Sequence, residues 1–289
     1  MSNPSDRLQQ VAHHLSPTTT PEPASSLTGK VCIITGAGST MGIGRATAWA
    51  YAQNGAKAIY MVDIAGDMEG AAREIQQAHP GTQVIGVLGD ASSEKDTIDL
   101  IDRVMKEQGR LDVFFANAGI ATASRLPKTS LETFSKVMRI NAESVFLALK
   151  HAGVRMAEGG GGSIILTASV AGVRSGAGSL EYSASKAAVV SMAQTGSTQL
   201  AGTNVRVNAI CPGLIETNMT KVVFDGARKR NTVHKVGQLN PMMRYGHAKE
   251  IASVALFLAG GMSSYVNGQA ICVDGGLSAS HPVVPGKFF

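Results

Sequence analysis

The chain has 289 residues, 44% of them hydrophobic, with a formal charge of +5, enough apolar material for one large core and too little charge asymmetry to suggest nucleic acid. Three cysteines, Cys32, Cys211 and Cys272, are odd in number and far apart, which excludes a disulfide framework and reads as buried reduced thiols. No apolar run reaches the roughly 18 residues of a membrane span and the N-terminus lacks a secretory apolar core, so a soluble cytoplasmic protein with no membrane partner is expected.

Residues 1–28 are rich in Ser, Thr and Pro, and Pro17, Pro21 and Pro23 bar a long helix, which predicts a flexible N-terminal extension. Leu8, Val11, Ala12 and Leu15 fall at helical spacing, and the alternative is a short amphipathic helix docked on the body or on another subunit. From Lys30 strand and helix patterns alternate. An apolar strand at 31–34 leads through a glycine-rich turn into a helix at 43–53. Strand 57–62 ends at Asp63, and helix 67–78, strand 82–88, helix 94–108 and strand 111–115 follow. A long helix at 131–156, strand 163–168, helix 182–200, strand 204–210, helix 248–258 and strand 270–273 complete the pattern. Such alternation predicts an α/β, doubly wound Rossmann fold: a seven-stranded parallel sheet with helices on both faces, in a single domain over 29–277.

Residues 214–246 show no clear strand and read as a substrate lid. Met219, Met242 and Met243 with Val222, Val223, Phe224 and Leu239 offer it adaptable apolar surface. The basic cluster Arg228-Lys229-Arg230, with Lys221 and Lys235, has no interleaved aromatics and reads as solvated surface. Residues 278–289 form a C-terminal tail whose apolar end, Phe288-Phe289, is expected to dock, for instance on a neighbouring subunit. None of the seven histidines has metal-ligand spacing, so no metal is expected.

Six places carry chemistry. The turn Thr35-Gly36-Ala37-Gly38-Ser39-Thr40-Met41-Gly42-Ile43-Gly44 sits between strand and helix, where backbone N–H groups approach a pyrophosphate without an intervening Cβ. It departs from G-x-G-x-x-G, because Met41 holds the third place, and fits G-x-x-x-G-x-G from Gly38. Asp63 closes the second strand, where an acidic side chain accepts hydrogen bonds from the adenosine ribose and repels a 2′-phosphate; this predicts NAD rather than NADP, the alternative being an aspartate that starts a turn. Asn117-Ala118-Gly119 ends the fourth strand, where small residues let a ribose lie on the backbone. Tyr182 and Lys186 fall at i, i+4 on one helix face, so a cation beside the phenol is expected to lower its pKa and make it a general acid and base. Ser169 ends the preceding strand and can face that tyrosine. Asn141 sits inside a helix against its propensity, which assigns it a tertiary task.

Together with Cys211-Pro212-Gly213-Leu214-Ile215-Glu216-Thr217, and in this order, these residues resemble the short-chain dehydrogenase/reductase family across about residues 28–277. The resemblance implies a catalytic tetrad of Asn141, Ser169, Tyr182 and Lys186, with Asn141 supporting a water beside the lysine and Lys186 also holding the cofactor ribose. It implies cofactor contacts at Gly36, Gly42, Ile43, Gly44, Asp63 and Ile64, at Asp90 and Ala91 beside the adenine, at Asn117, Ala118 and Gly119, and at Pro212, Gly213, Ile215 and Thr217 by the nicotinamide. For Asp90 a helix-start role is the competing reading. It further implies a homotetramer or homodimer built on the helices of Asn141 and Tyr182.

The expected activity is hydride transfer between NAD(H) and a secondary alcohol or ketone, a small-molecule substrate. Small residues at 170–180 suggest a bulky or cyclic apolar one, with Arg174 at its polar end. The alternatives are an NADPH-dependent 3-oxoacyl-carrier-protein reductase, whose acidic carrier would suit the basic cluster, and a catalytically silent scaffold on the same fold.

Overall fold

The computed structural model describes residues 26–280; the amphipathic pattern at 8–15 and the apolar end at 288–289 lie outside the described residues. Nine strands are described: β1 (Val31–Thr35), β2 (Ala58–Asp63), β3 (Gln83–Leu88), β4 (Val113–Ala116), β5 (Gly162–Thr167), β6 (Val205–Pro212), the short β7 (Ile215–Glu216) and β8 (Gly246–His247), and β9 (Ala270–Val273). Seven of them form one sheet in the order β3-β2-β1-β4-β5-β6-β9, with every pairing parallel. All five residues of β1 are buried, as an unbroken apolar run demands when both faces are covered.

The helices are α1 (Ile43–Gln53), α2 (Met68–Ala78), α3 (Glu94–Gln108), α4 (Leu131–Met138), α5 (Ser144–Glu158), α6 (Leu180–Gln199), α7 (Lys221–Lys229) and α8 (Ala248–Ala259). Side chains alternate between the two sides of a strand, so the core divides. Cys32, Ile34, Ile59 and Met61 face α1, α2 and α8 through Tyr51, Ile75, Ile251 and Leu258. Val31, Ile33, Ala58 and Tyr60 face α3, α5 and α6 through Ile101, Val145, Met156 and Val189. Helix starts follow local chemistry: Asp67 and Ser93 accept the backbone N–H groups of Gly70 and Asp96 as N-caps. The order reverses between β1 and β4, which opens a crevice at the carboxyl ends of these strands.

The structure departs from the expectations in four places. Leu27 is fully buried in the core and Thr28 bridges Ala56, so the ordered body begins before residue 29. The helix expected at 131–156 is broken by a π-helical turn, Arg139–Glu143, which admits an extra residue and re-aims the side chains around it. The segment 214–246 contains α7 and the paired strands β7 and β8; two-residue strands are too short to leave an alternating pattern. Cys272 is exposed, because β9 is an edge strand and one helix layer does not cover it.

Candidate active site

The glycine turn, Asp63, Asp90, Asn117 to Gly119, Ser169 and Pro212 to Thr217 lie at or just beyond the carboxyl ends of the strands, and helical segments bring Asn141, Tyr182 and Lys186 toward them. The ends of β1, β4 and β5 are laced together by one side chain. Asn117 donates through Nδ2 to the carbonyls of Thr35 (3.1 Å) and Gly36 (3.2 Å) and accepts from the Thr167 hydroxyl (3.1 Å). Thr35 Oγ1 in turn accepts the N–H groups of Asn117 and Ala118, at 3.0 and 3.1 Å.

Two glycines of the turn after β1 have no substitute. Gly36 has φ +68°, and a Cβ there would stand 2.8 Å from Ala118 Cα; a Cβ on Gly44 would stand 2.4 Å from the Gly36 carbonyl oxygen. The longer turn is fastened by Asp63, which accepts Gly38 N–H and Ile64 N–H, each at 2.8 Å. Gly42 caps α1, whose first turn holds no acidic residue; its positive end therefore stays available to an anion. Ser39 Oγ is buried without a partner. Arg45, at the start of α1, is paired to Glu74. Ile64 and Leu88 stand 68% and 66% exposed at the ends of β2 and β3, an apolar clamp left open to solvent.

Asp90 accepts the N–H and hydroxyl of Ser92 at 2.8 and 2.7 Å and has Arg139 at 3.9 Å, so it shapes the turn into α3. With Ala91, Val62 and Leu88 it also lines a cavity of about 280 Å³.

Helix α6 carries Tyr182, Ser185 and Lys186 toward the ends of β4 and β5. Lys186 is buried and donates to the Thr167 carbonyl at 2.7 Å, and its Nζ lies 5.8 Å from the centroid of the Tyr182 ring. Burial draws the Lys186 ammonium down to about 8, with Cys211 acting in the opposite sense. The expected lowering of the tyrosine is not what the protein's own groups produce. Burial raises the Tyr182 phenol above its ordinary value, and the hydrogen bond with the Ser169 side chain offsets this only in part. Ser169 Oγ also accepts the Ala171 N–H at 3.1 Å.

The π turn presents Asn141 to this group. Fully buried, it exchanges hydrogen bonds with the backbone of Ile120 (2.8 and 2.9 Å) and donates to Ser185 Oγ at 3.1 Å. A Cβ on Gly119 would lie 3.2 Å from Asn141 Oδ1 and 3.4 Å from Lys186 Nζ, so the end of β4 touches both. On the far side Ile215 is buried, and Thr220 Oγ1 ties its carbonyl (2.6 Å) to the Thr217 N–H (3.0 Å). Gly213 and Ile215 line a cavity of about 550 Å³ with Met242 and Arg244.

Sequence reasoning missed Glu181. It is fully buried beside Tyr182 and accepts from Thr122 and, at 2.8 Å, from Ser124. Burial pushes this carboxyl up, but hydrogen bonds led by Thr122 outweigh it and hold the group at about 2. No local pattern marks a glutamate at the start of a helix as buried. Arg174, expected at a substrate's polar end, instead donates to the Leu277 carbonyl. A cavity of about 650 Å³ lies at the opposite, amino ends of the strands. Its cations are engaged there, Lys30 and Arg110 with Asp112 and Arg206 with the carbonyls of Leu258 and Gly260.

A family model described as enoyl-(acyl carrier protein) reductase matches residues 36–278. The chain is 39% identical over 256 residues to a 3-oxoacyl-(acyl-carrier-protein) reductase of Thermotoga maritima, covering 87% of this chain and 98% of that protein. It is 36% identical over 270 residues to levodione reductase of Leifsonia aquatica, covering 91% and 100%. A crystal structure of levodione reductase superposes with a TM-score of 0.83 at 35% identity, over 88% of this chain and 100% of that one. A protein assigned as an NAD(P)-dependent gluconate 5-dehydrogenase of Beutenbergia cavernae, with NADP bound at low occupancy, gives 0.80 at 30% identity over 89% and 99%. Since these matches run through the parallel sheet and the Tyr182/Lys186 helix alike, the chain belongs to the short-chain dehydrogenase/reductase family, oxidoreductases that use a nicotinamide cofactor.

Proposed function

We propose that this enzyme is an NAD(H)-dependent dehydrogenase/reductase of secondary alcohols and ketones. The bound nicotinamide would supply the hydride acceptor or donor. Gly36, Gly42, Ile43 and Gly44 would hold the pyrophosphate at the start of α1, Asp63 and Ile64 the adenosine ribose, and Asp90 and Ala91 the adenine. Asn117, Ala118, Gly119 and Lys186 would hold the second ribose, and Pro212, Gly213, Ile215 and Thr217 the nicotinamide. The unpartnered Ser39 hydroxyl and an α1 first turn free of carboxylates suit a bound pyrophosphate.

Ser169 would hydrogen-bond the substrate oxygen as charge develops there, and Tyr182 would give or take the proton at that oxygen. Because burial keeps the phenol protonated, the resting enzyme is poised to donate, that is, to reduce a ketone. Lys186, still largely cationic at neutral pH with a value near 8, would draw the phenol down as the proton leaves. Asn141 would hold the proton path open beside Lys186.

The choice of NAD rests on Asp63. Its carboxylate is fixed at the end of β2 by Gly38 N–H, and Arg45, the cation best placed to neutralise a 2′-phosphate, is spent on Glu74. Two unit charges about 4 Å apart cost roughly 4 kcal/mol at an effective dielectric of 20, cut to about 1–3 kcal/mol by solvent, which is roughly 10- to 100-fold discrimination. The ratio of catalytic efficiencies with NAD and NADP, in the native enzyme and in Asp63→Ala, tests this. A native preference for NADP, or a ratio unmoved by the substitution, would overturn it.

The names of the relatives favour a second reading, an NADPH-dependent 3-oxoacyl-carrier-protein reductase. Against it, Lys221 and Arg228 of the basic cluster are paired with Asp225 and Glu216, which leaves less free charge for an acidic carrier. Silence as a scaffold is disfavoured by the assembled Ser169, Tyr182 and Lys186. A bulky apolar substrate is supported by the exposed Met219, Val222 and Leu239 and by the cavity against Gly213. Pairing into a homodimer or homotetramer is supported by Phe146 and Val154, 52% and 54% exposed on α5.

A further inference from the structure

Strands β6 and β9 pair in parallel with Cys211 directly opposite Cys272. Register partners project to the same side of a sheet, here the side of α6, where Cys211 packs with Val189 and Ala193 and where Ala270, two residues before Cys272, also lies. The pairing of β5 with β6, in which Thr167 is opposite Ile210 and the Ala168 N–H donates to the Ile210 carbonyl, also sets Cys211 beside the backbone that leads into Ser169. Cys211 meets no solvent, whereas Cys272 is exposed and lines the cavity of about 550 Å³ beside Gly213 and Ile215. One thiol is thus open to attack, its neighbour lies directly opposite on the paired strand, and that neighbour sits beside the backbone leading to the serine of the site.

We propose that Cys211 and Cys272 form a vicinal dithiol site for trivalent arsenicals, and that its occupation disables the active site through Ser169. An arsenoxide, R–As=O, condenses first with exposed Cys272 and then with Cys211. Two As–S bonds form, the As=O bond breaks, and its oxygen leaves as water with the two thiol protons. Arsenic stays trivalent, so no oxidant is required. Closing the second bond is intramolecular, and the high effective concentration of the neighbouring thiol makes the chelate far longer-lived than a single-thiol adduct. The chelate draws Cys211 sulfur toward Cys272 and so shifts the end of β6 against the Ala168–Ser169 backbone paired with it. The aryl group of a phenyl arsenical has the cavity beside Cys272 to enter.

The test uses the full chain and phenylarsine oxide, with free thiols titrated after removal of excess reagent and denaturation. The expected result is one arsenic per chain with two of the three thiols lost, stable to excess 2-mercaptoethanol and released by 2,3-dimercaptopropanol. Turnover is expected to fall at least tenfold and to return on release. Cys272→Ser, an exposed and conservative change, is expected to fold and to hold no arsenic after the monothiol wash. Release by the monothiol, equal retention by Cys272→Ser, or loss of Cys32 instead would overturn the site. Retained turnover in the fully chelated enzyme would overturn the coupling to Ser169. The thiol count is independent of the substrate and of the role given to Ser169, so it separates a failure here from a failure of the proposed function.

Discussion

The strand ends proposed to hold the cofactor and the segment 214–246 proposed as a lid differ in how their atoms are held. Around the ends of β1, β4 and β5, Asn117, Thr35, Asn141 and Asp63 each make at least two hydrogen bonds across chain separations of roughly 20 residues or more, or to backbone beside them. Between 214 and 246 most hydrogen bonds are local, as in Thr220 with Ile215 and Thr217, and Asn231 and Met243 adopt φ of +53° outside glycine. Several apolar side chains there face water, Val222 being 85% exposed, while Phe224 is anchored, fully buried and edge-on to Tyr245 at 4.9 Å. A cofactor common to a family calls for fixed geometry, whereas a segment proposed to close over the substrate must adapt to it. Rigidity is concentrated where chemistry is shared.

The largest effect should come from the rigid side. Tyr182→Phe should lower turnover by roughly 10²- to 10⁴-fold with NAD affinity unchanged, measured by single-turnover kinetics and cofactor titration. Turnover near the native value would show that the proton travels by another group.

Asn117→Ala should cost about 1–3 kcal/mol of stability, since it strands the Thr35 and Gly36 carbonyls, and should weaken cofactor binding as well. Denaturant unfolding with and without NAD reads both. An unchanged midpoint would mean that the lacing at the strand ends is dispensable.

The pH dependence sharpens the same contrast. With the Tyr182 phenol raised by burial, ketone reduction needs the protonated form and should hold at about pH 7, while alcohol oxidation needs the phenolate and should rise toward about pH 9. Lys186 has the opposite bearing on stability: its folded value, near 8, lies below the ordinary lysine value. The unfolded chain therefore binds more protons between the two values, and this contribution to stability grows as pH rises through that window. Initial rates in both directions, and unfolding midpoints of the native enzyme and Lys186→Met, check the two signs.

The smallest effect on folding belongs to the lid. Val222→Ser should change stability by no more than about 0.5 kcal/mol yet raise KM for a bulky apolar alcohol, with KM for NAD unmoved. A large drop in Tm would place Val222 in a packed interface, as would occur within an oligomer; light scattering at micromolar concentration separates that case.

Much of the fold was legible because its signals are local. The helices at 43–53 and 94–108 and the strand at 270–273 stand where expected, each bounded by glycine, a cap or a change of apolar period. The placement of the proposed site residues was legible where one motif lies within one turn or helix, as in Tyr182 and Lys186 on α6, or where an acidic residue ends a strand, as in Asp63 on β2. The helix expected at 131–156 was misjudged because a π turn keeps helical periodicity on either side of Asn141. The lid strands β7 and β8 were missed because two residues carry no period.

By itself the sequence determined the alternation of strand and helix, the glycine turn, the acidic strand end and the Tyr182/Lys186 face, all properties of residues within a few positions of one another. Only the tertiary structure decided that Arg174 serves Leu277, that Glu181 is buried with Thr122 and Ser124, that Cys211 meets Cys272, and that burial outweighs the help Tyr182 receives. Each depends on which distant segments pack together and how much water they exclude. Desolvation belongs to the assembled environment, and no short stretch of sequence encodes it.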